Sequence, residues 1–205
     1  MTRLARHTAL TAFTIALASC AGDAPQLSPS GFIGAELATP GPVPDVVLTA
    51  TDGSPWHLAD SARGRVTLVF FGYTNCPDIC PVHLANLAAV LDKLPDQVGR
   101  QVQVLFVTTD PARDSLPRIR EWVRQFDRDF TGLGGSDSAI VAAQRGFGVP
   151  PAVQDTSGSA ANYLVGHAAQ VIAVTRDGVA RVWYPAGTRQ RDWAHDLPRL
   201  VAFDG

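Results

Sequence analysis

The chain has 205 residues, 46% of them hydrophobic and 18% charged, which suits one globular domain with a leader or tail and is too apolar for a disordered chain. Seventeen basic and nineteen acidic residues give a formal net charge of −2, so there is no positive field to grip a phosphate backbone and no nucleic-acid partner is expected. Three cysteines are too few for a disulfide-stapled scaffold or a four-cysteine zinc site, so their spacing carries the information.

Residues 1–19 read as a lipoprotein signal peptide. Arg3 and Arg6 precede an uncharged run over residues 8–18, which has the length of an export core and is too short to span a bilayer permanently. Leu17-Ala18-Ser19-Cys20 is similar to a bacterial lipobox, which implies cleavage before Cys20 and its acylation. An ordinary secretory signal with an incidental cysteine is the alternative. On the lipid reading the protein is exported and anchored to the outward face of a bacterial membrane, with its domain in the periplasm or extracytoplasmic space. Residues 20–43 shift to Pro, Gly, Ser, Ala and Thr without apolar periodicity, and are expected to form a lipidated terminus and flexible spacer. The folded domain is expected over residues 44–205.

Within that domain the first signal is a short hairpin turning at Asp52-Gly53. Residues 66–71 (VTLVFF) form a continuous apolar, β-rich run, as expected of a strand buried on both faces of a sheet. A turn follows, and Leu84, Leu87, Ala88, Leu91 and Leu94 then recur at helical spacing. Residues 103–108 read as a second core strand, and residues 115–126 carry helical periodicity through Leu116, Ile119, Trp122, Val123 and Phe126. This is a βαβ unit, for which parallel pairing is the default. A further helix is expected near residues 136–146. Residues 167–175 and 179–184 form a hairpin around Asp177-Gly178, and a helix over 189–203 closes the chain. The expected class is α/β, a thioredoxin-like fold whose central mixed sheet is flanked by helices, with an added N-terminal β-hairpin.

Cys76 and Cys80 lie where the buried strand gives way to a helix. Free amides and the positive end of the helix dipole favour a thiolate there, and four-residue spacing puts both sulfurs on one helical face. The pair can close a disulfide or grip one soft ion. A buried structural pair is the bland alternative, poorly matched to two cysteines beside Pro77 and Pro81 at a strand end. Pro81 suggests that the regular helix starts late. Two thiolates do not satisfy most metals, so a third ligand must come from histidines 7, 57, 83, 167 or 195. His7 is in the leader. Spacing alone favours His83, whereas a thioredoxin-like sheet returns the loop with His167 to the helix N-terminus. His57 and His195 are read as surface or hydrogen-bonded residues. Thiolates with one imidazole suit copper, as Cu(I) or Cu(II).

Three blocks, FFGYTNCPDICP at residues 70–81, VTTDPARD at 107–114 and YLVGH at 163–167, resemble the Sco/SenC family of copper-binding, thioredoxin-like proteins. The resemblance implies one copper held by Cys76, Cys80 and His167. It also implies copper delivery, or thiol reduction, during assembly of the binuclear copper centre of cytochrome c oxidase, whose copper-bearing subunit would be the partner. The family commonly carries an acidic residue before the ligand histidine, where this chain has Gly166. Asp110 could sit near the site at the carboxyl ends of the strands, with capping of the next helix by Asp114 or Ser115 and a solvated Arg113 as the alternative. Asp78, between the cysteines, could tune thiolate charge or merely favour the first helical turn.

The leading expectation is a membrane-tethered copper metallochaperone. The alternative is an exported thiol–disulfide reductase in which Cys76 attacks a partner disulfide and Cys80 resolves the mixed disulfide. A peroxiredoxin-like peroxidase is a third reading, and it leaves the close pair and the histidine unexplained.

Overall fold

The computed structural model describes residues 26–155 and 163–204; the signal peptide and Cys20 lie outside them. In chain order the described residues form β1 (Ala35–Pro42), β2 (Val47–Ala50), β3 (Pro55–His57), α1 (Leu58–Ser61), β4 (Val66–Gly72), α2 (Ile79–Leu91), α3 (Asp96–Gly99) and β5 (Val102–Thr108). There follow α4 (Leu116–Val123), β6 (Thr131–Gly134), α5 (Asp137–Gly146), β7 (Val153–Asp155), β8 (Leu164–Gly166), β9 (Val171–Val174), β10 (Val179–Tyr184) and α6 (Gln190–Ala202). Eight strands make one mixed sheet in the order β1, β10, β9, β4, β5, β6, β2, β3, while β7 and β8 form a separate ribbon.

The apolar run of β4 is buried at every position because it lies mid-sheet with helices on both faces. Val66, Leu68 and Phe70 pack with Leu84 and Leu87 of α2, Ile119 of α4 and Trp193 and Leu197 of α6. Val69 and Phe71 point the other way, onto Leu48, Leu58 and the Ile140 and Ala143 of α5; this is the period-2 alternation of a strand. β4 pairs in parallel with β5, and β5 with β6. β9 joins β4 antiparallel, and β10 returns along β9 after the Asp177-Gly178 turn. The hairpin at Asp52-Gly53 is present as β2 and β3. The architecture is the thioredoxin-like α/β plan, a mixed sheet flanked by helices.

One boundary is corrected. Of the segment read as a flexible spacer, residues 20–43, the described part is folded onto the domain. β1 pairs antiparallel with β10, and Phe32 is buried in the core. The physical reason is Asp196 of α6, a fully buried carboxylate that must find donors. It accepts the amides of Ile33 at 2.9 Å and Gly34 at 2.9 Å and the Tyr184 hydroxyl at 2.9 Å. Gly34 fits where a Cβ would come within 2.5 Å of Tyr184 and Val182.

Besides β1, three strands escaped the sequence pattern. β6 carries Gly132 because α4 crosses so closely that a Cβ there would approach Ile119 to 2.4 Å, and the glycines erase the apolar signal. β7 and β8 are three-residue strands exposed at most positions. The strand expected from residue 167 begins at Val171, leaving residues 167–170 as a loop. α2 begins at Ile79, ahead of Pro81, which is tolerated because a first-turn residue has no intrahelical partner for its amide.

Candidate metal centre

The site lies at the carboxyl end of β4, where Gly72 ends the strand and a short turn leads to α2. Gly72 is required by packing: a Cβ there would lie 2.9 Å from the Cys80 sulfur and 2.9 Å from Phe106. The turn is pinned by Asp114, whose buried carboxylate accepts the Thr74 amide at 3.0 Å and the Thr108 hydroxyl at 2.6 Å. Asp114 therefore ties the β4–α2 turn to the end of β5. The cap of α4 is Ser115, which accepts the Arg118 amide.

Cys80 is buried in the first turn of α2, and Cys76 is half-buried just before it. The Cys76 sulfur accepts the Cys80 amide at 3.4 Å. A hydrogen bond from the Cys80 thiol pulls the Cys76 thiol down to about 4, with help from His167 and the Cys80 and Asp78 amides and against the effect of burial. The same hydrogen bond, together with burial, pushes Cys80 far up. The pair is thus asymmetric: its surroundings favour ionisation of the outer sulfur and oppose it at the buried one.

His167 completes the constellation. Its Nε2 lies 3.6 Å from the Cys80 sulfur, and the ligand atoms of Cys76, Cys80 and His167 all fall within 4.8 Å of one another. Its Nδ1 is 3.0 Å from the Ala168 carbonyl. A carbonyl only accepts, so Nδ1 carries a proton, and Nε2 is the ring atom that faces the sulfurs and is free to ligate a metal once it gives up its own. The ring is held edge-on by Tyr73 at 5.8 Å and by Phe70 at 6.1 Å between centroids. Two sulfurs and one imidazole nitrogen converging this closely fit a single soft ion.

His83, which helical spacing favoured, takes a different role. It is buried, with its Nε2 2.9 Å from the Ala169 carbonyl and its ring 5.0 Å from Phe70, so it donates to the loop that carries His167. Burial, opposed by that hydrogen bond, lowers its pKa. His57 ends β3, and His195 pairs with Asp196 at 2.6 Å.

The side chain of Asp78 is exposed at the N-cap of α2 and caps nothing; only its amide faces Cys76. Asp110 is fully buried and serves neither as ligand nor cap. It receives Arg113 and the Tyr163 hydroxyl, the latter at 2.6 Å. Arg113 is accordingly paired and mostly buried, not solvated. Gly166 pairs with Val153 in the ribbon, and a Cβ there would meet nothing closer than the Val153 carbonyl at 3.6 Å. The sequence singled out neither Tyr73 nor Tyr163 for this site. Their place within the 70–81 and 163–167 blocks was the available signal.

The family model described as SCO1/SenC matches residues 43–202. "Protein SCO1 homolog 1, mitochondrial" of Arabidopsis thaliana is 38% identical over 104 residues, 51% of this chain and 30% of its own length; the chain thus spans under a third of that relative. Solved structures agree. Apo Sco1 from Thermus thermophilus is 34% identical with a TM-score of 0.74, covering 83% of this chain and 97% of that one. Bradyrhizobium japonicum ScoI with copper bound is 29% identical with a TM-score of 0.69, covering 80% and 100%. The match of the family model over most of the chain, carried by a domain of the same fold, makes this protein a member of the SCO1/SenC family.

Proposed function

We propose that this protein is a membrane-tethered copper metallochaperone that carries one copper ion on Cys76, Cys80 and His167 and hands it to cysteines of the binuclear copper centre of cytochrome c oxidase. The observation that carries the reading is the convergence of two sulfurs and one imidazole nitrogen within 4.8 Å. The copper-bound relative of the same fold supports it. Cu(I) is favoured by the thiolates, and the imidazole makes the set competent for Cu(II). Transfer is ligand exchange: a partner thiolate enters at the half-buried Cys76 side while buried Cys80 leaves last. Tethering is supported by the lipobox-like segment ending at Cys20.

The test is titration of the reduced full-length protein in detergent with Cu(I) and, separately, Cu(II), reading stoichiometry and the thiolate-to-copper absorption band. One copper per chain, lost or weakened more than tenfold in Cys76→Ser, Cys80→Ser and His167→Ala, is expected. Wild-type affinity and spectrum in His167→Ala would sink the proposal.

A second reading, thiol–disulfide reduction, is favoured by the asymmetry of the pair. The accessible thiolate of Cys76 can attack a partner disulfide and expel one partner thiolate; Cys80, once deprotonated, attacks the Cys76 sulfur, forms the Cys76–Cys80 disulfide and releases the second partner thiolate, so two electrons pass to the partner. Cys80→Ser should then trap a mixed disulfide with an exported protein. No trapped species under conditions that reoxidise wild type would count against it.

A further inference from the structure

The ribbon of β7 and β8 leads directly into His167, yet neither strand joins the central sheet. An isolated two-stranded ribbon is marginal in water, and all of β7 and two residues of β8 are exposed. Support comes from the loop after β5. The Arg113 side chain, only 16% exposed, pairs with the fully buried Asp110 and donates from Nη1 to the Tyr163 carbonyl at 3.0 Å. Its guanidinium carbon lies 3.5 Å from the Tyr163 ring centroid and 5.7 Å from that of Tyr73. Tyr163 returns its hydroxyl to Asp110 at 2.6 Å, and Tyr73 packs edge-on against His167. On the other side of His167, the Ala169 carbonyl is held by His83.

We propose that Arg113, fixed by Asp110, is a positioning residue for His167. It clamps the Tyr163 end of the histidine arm and, through Tyr73, the imidazole ring, so that Nε2 is presented to the two sulfurs. The proposal rests on the copper reading above. A planar fork that hydrogen-bonds in two directions while stacked on an aromatic ring is a task for arginine that lysine does not reproduce. The two sulfurs are held chiefly by each other and by the turn between β4 and α2, so loosening the arm should act first on where the imidazole sits.

The experiment uses full-length reduced protein in detergent, with Arg113→Lys, the milder Tyr163→Phe and His167→Ala compared with wild type. The probe is Cu(II) added against a competing chelator. Arg113→Lys should lose roughly 10- to 100-fold in Cu(II) affinity, the range seen when partners of a ligand histidine are removed, and its absorption band should move toward that of His167→Ala. Tyr163→Phe should shift both in the same direction by less. In the metal-free protein, amide hydrogen exchange over residues 163–169 should accelerate in Arg113→Lys, while the thermal midpoint stays near wild type. Wild-type copper affinity and spectrum in both clamp variants, with loss in His167→Ala, would overturn the inference and leave the copper reading standing. Unaltered binding by His167→Ala would overturn both. A fall in thermal midpoint that tracks the loss of copper across both clamp variants would make Arg113 a general fold support and also overturn the inference.

Discussion

Cys76 and Cys80 are the same side chain four residues apart, and their surroundings give them opposite chemistry. Cys76 is half-buried, accepts the hydrogen bond of the Cys80 thiol, and is pulled down to about 4; Cys80 is buried and pushed up. The sign for reactivity follows directly, since only a thiolate is alkylated. Iodoacetamide should modify the reduced protein at Cys76, with a rate that is near its plateau by pH 6 and falls only as pH drops toward 4, whereas a free thiol gains its rate near pH 8.5. Mass spectrometry across a pH series checks this, and a rate still rising between pH 7 and 9 would contradict it. Gly166 makes a second prediction. The proton on His167 Nδ1 already has the Ala168 carbonyl, and a Cβ at residue 166 meets no clash. Gly166→Asp should therefore fold normally and change Cu(II) affinity by less than about tenfold, short of what a missing partner would cost; chelator competition reads the outcome.

Among the elements, α2 contributes more than its cysteines. One turn after Cys80 it presents His83, whose Nε2 donates to the Ala169 carbonyl and so ties α2 to the loop carrying His167. Removing the donor strands a carbonyl in a part-buried site. His83→Leu should lower unfolding free energy by about 1–3 kcal/mol, measured by denaturant titration. Copper stoichiometry should remain one per chain, because the third ligand lies on another element. Loss of stoichiometric copper at full folding would instead restore His83 as a ligand. The ribbon of β7 and β8 shows the converse economy: too short and exposed to stand alone, it is positioned by side chains from loops.

For the whole molecule the decisive feature is how the N-terminal segment closes the sheet. β1 covers the edge of β10, Phe32 enters the helix-covered core, and Asp196 holds the Ile33 and Gly34 amides. A chain starting at residue 44 loses all three. It leaves a buried carboxylate with fewer donors and exposes a bare strand edge, which is prone to association. That fragment should melt well below one starting at residue 26 and show concentration-dependent aggregation, read by calorimetry and light scattering. Equal melting temperatures would show that β1 adds nothing to the domain.

Local chemistry determined much of this protein directly from its sequence. The unbroken apolar run of β4, the Asp52-Gly53 and Asp177-Gly178 turns and the helical periodicities of α2 and α4 are short-range signals, and the observed elements follow them. The two cysteines at a strand-to-helix junction likewise announced themselves by spacing, and the family blocks pointed to His167. What needed the tertiary structure was every choice among distant partners. His83 and His167 are alike as residues; only the return of the chain beside α2 turns one into a loop anchor and brings the other's Nε2 to the sulfurs. The Asp110, Arg113 and Tyr163 cluster joins residues roughly fifty positions apart. The folding of residues 32–42 depends on a carboxylate more than 160 residues downstream. Pattern along a chain reports what a residue prefers, whereas burial of a charge or a carbonyl is settled by which remote group arrives to satisfy it.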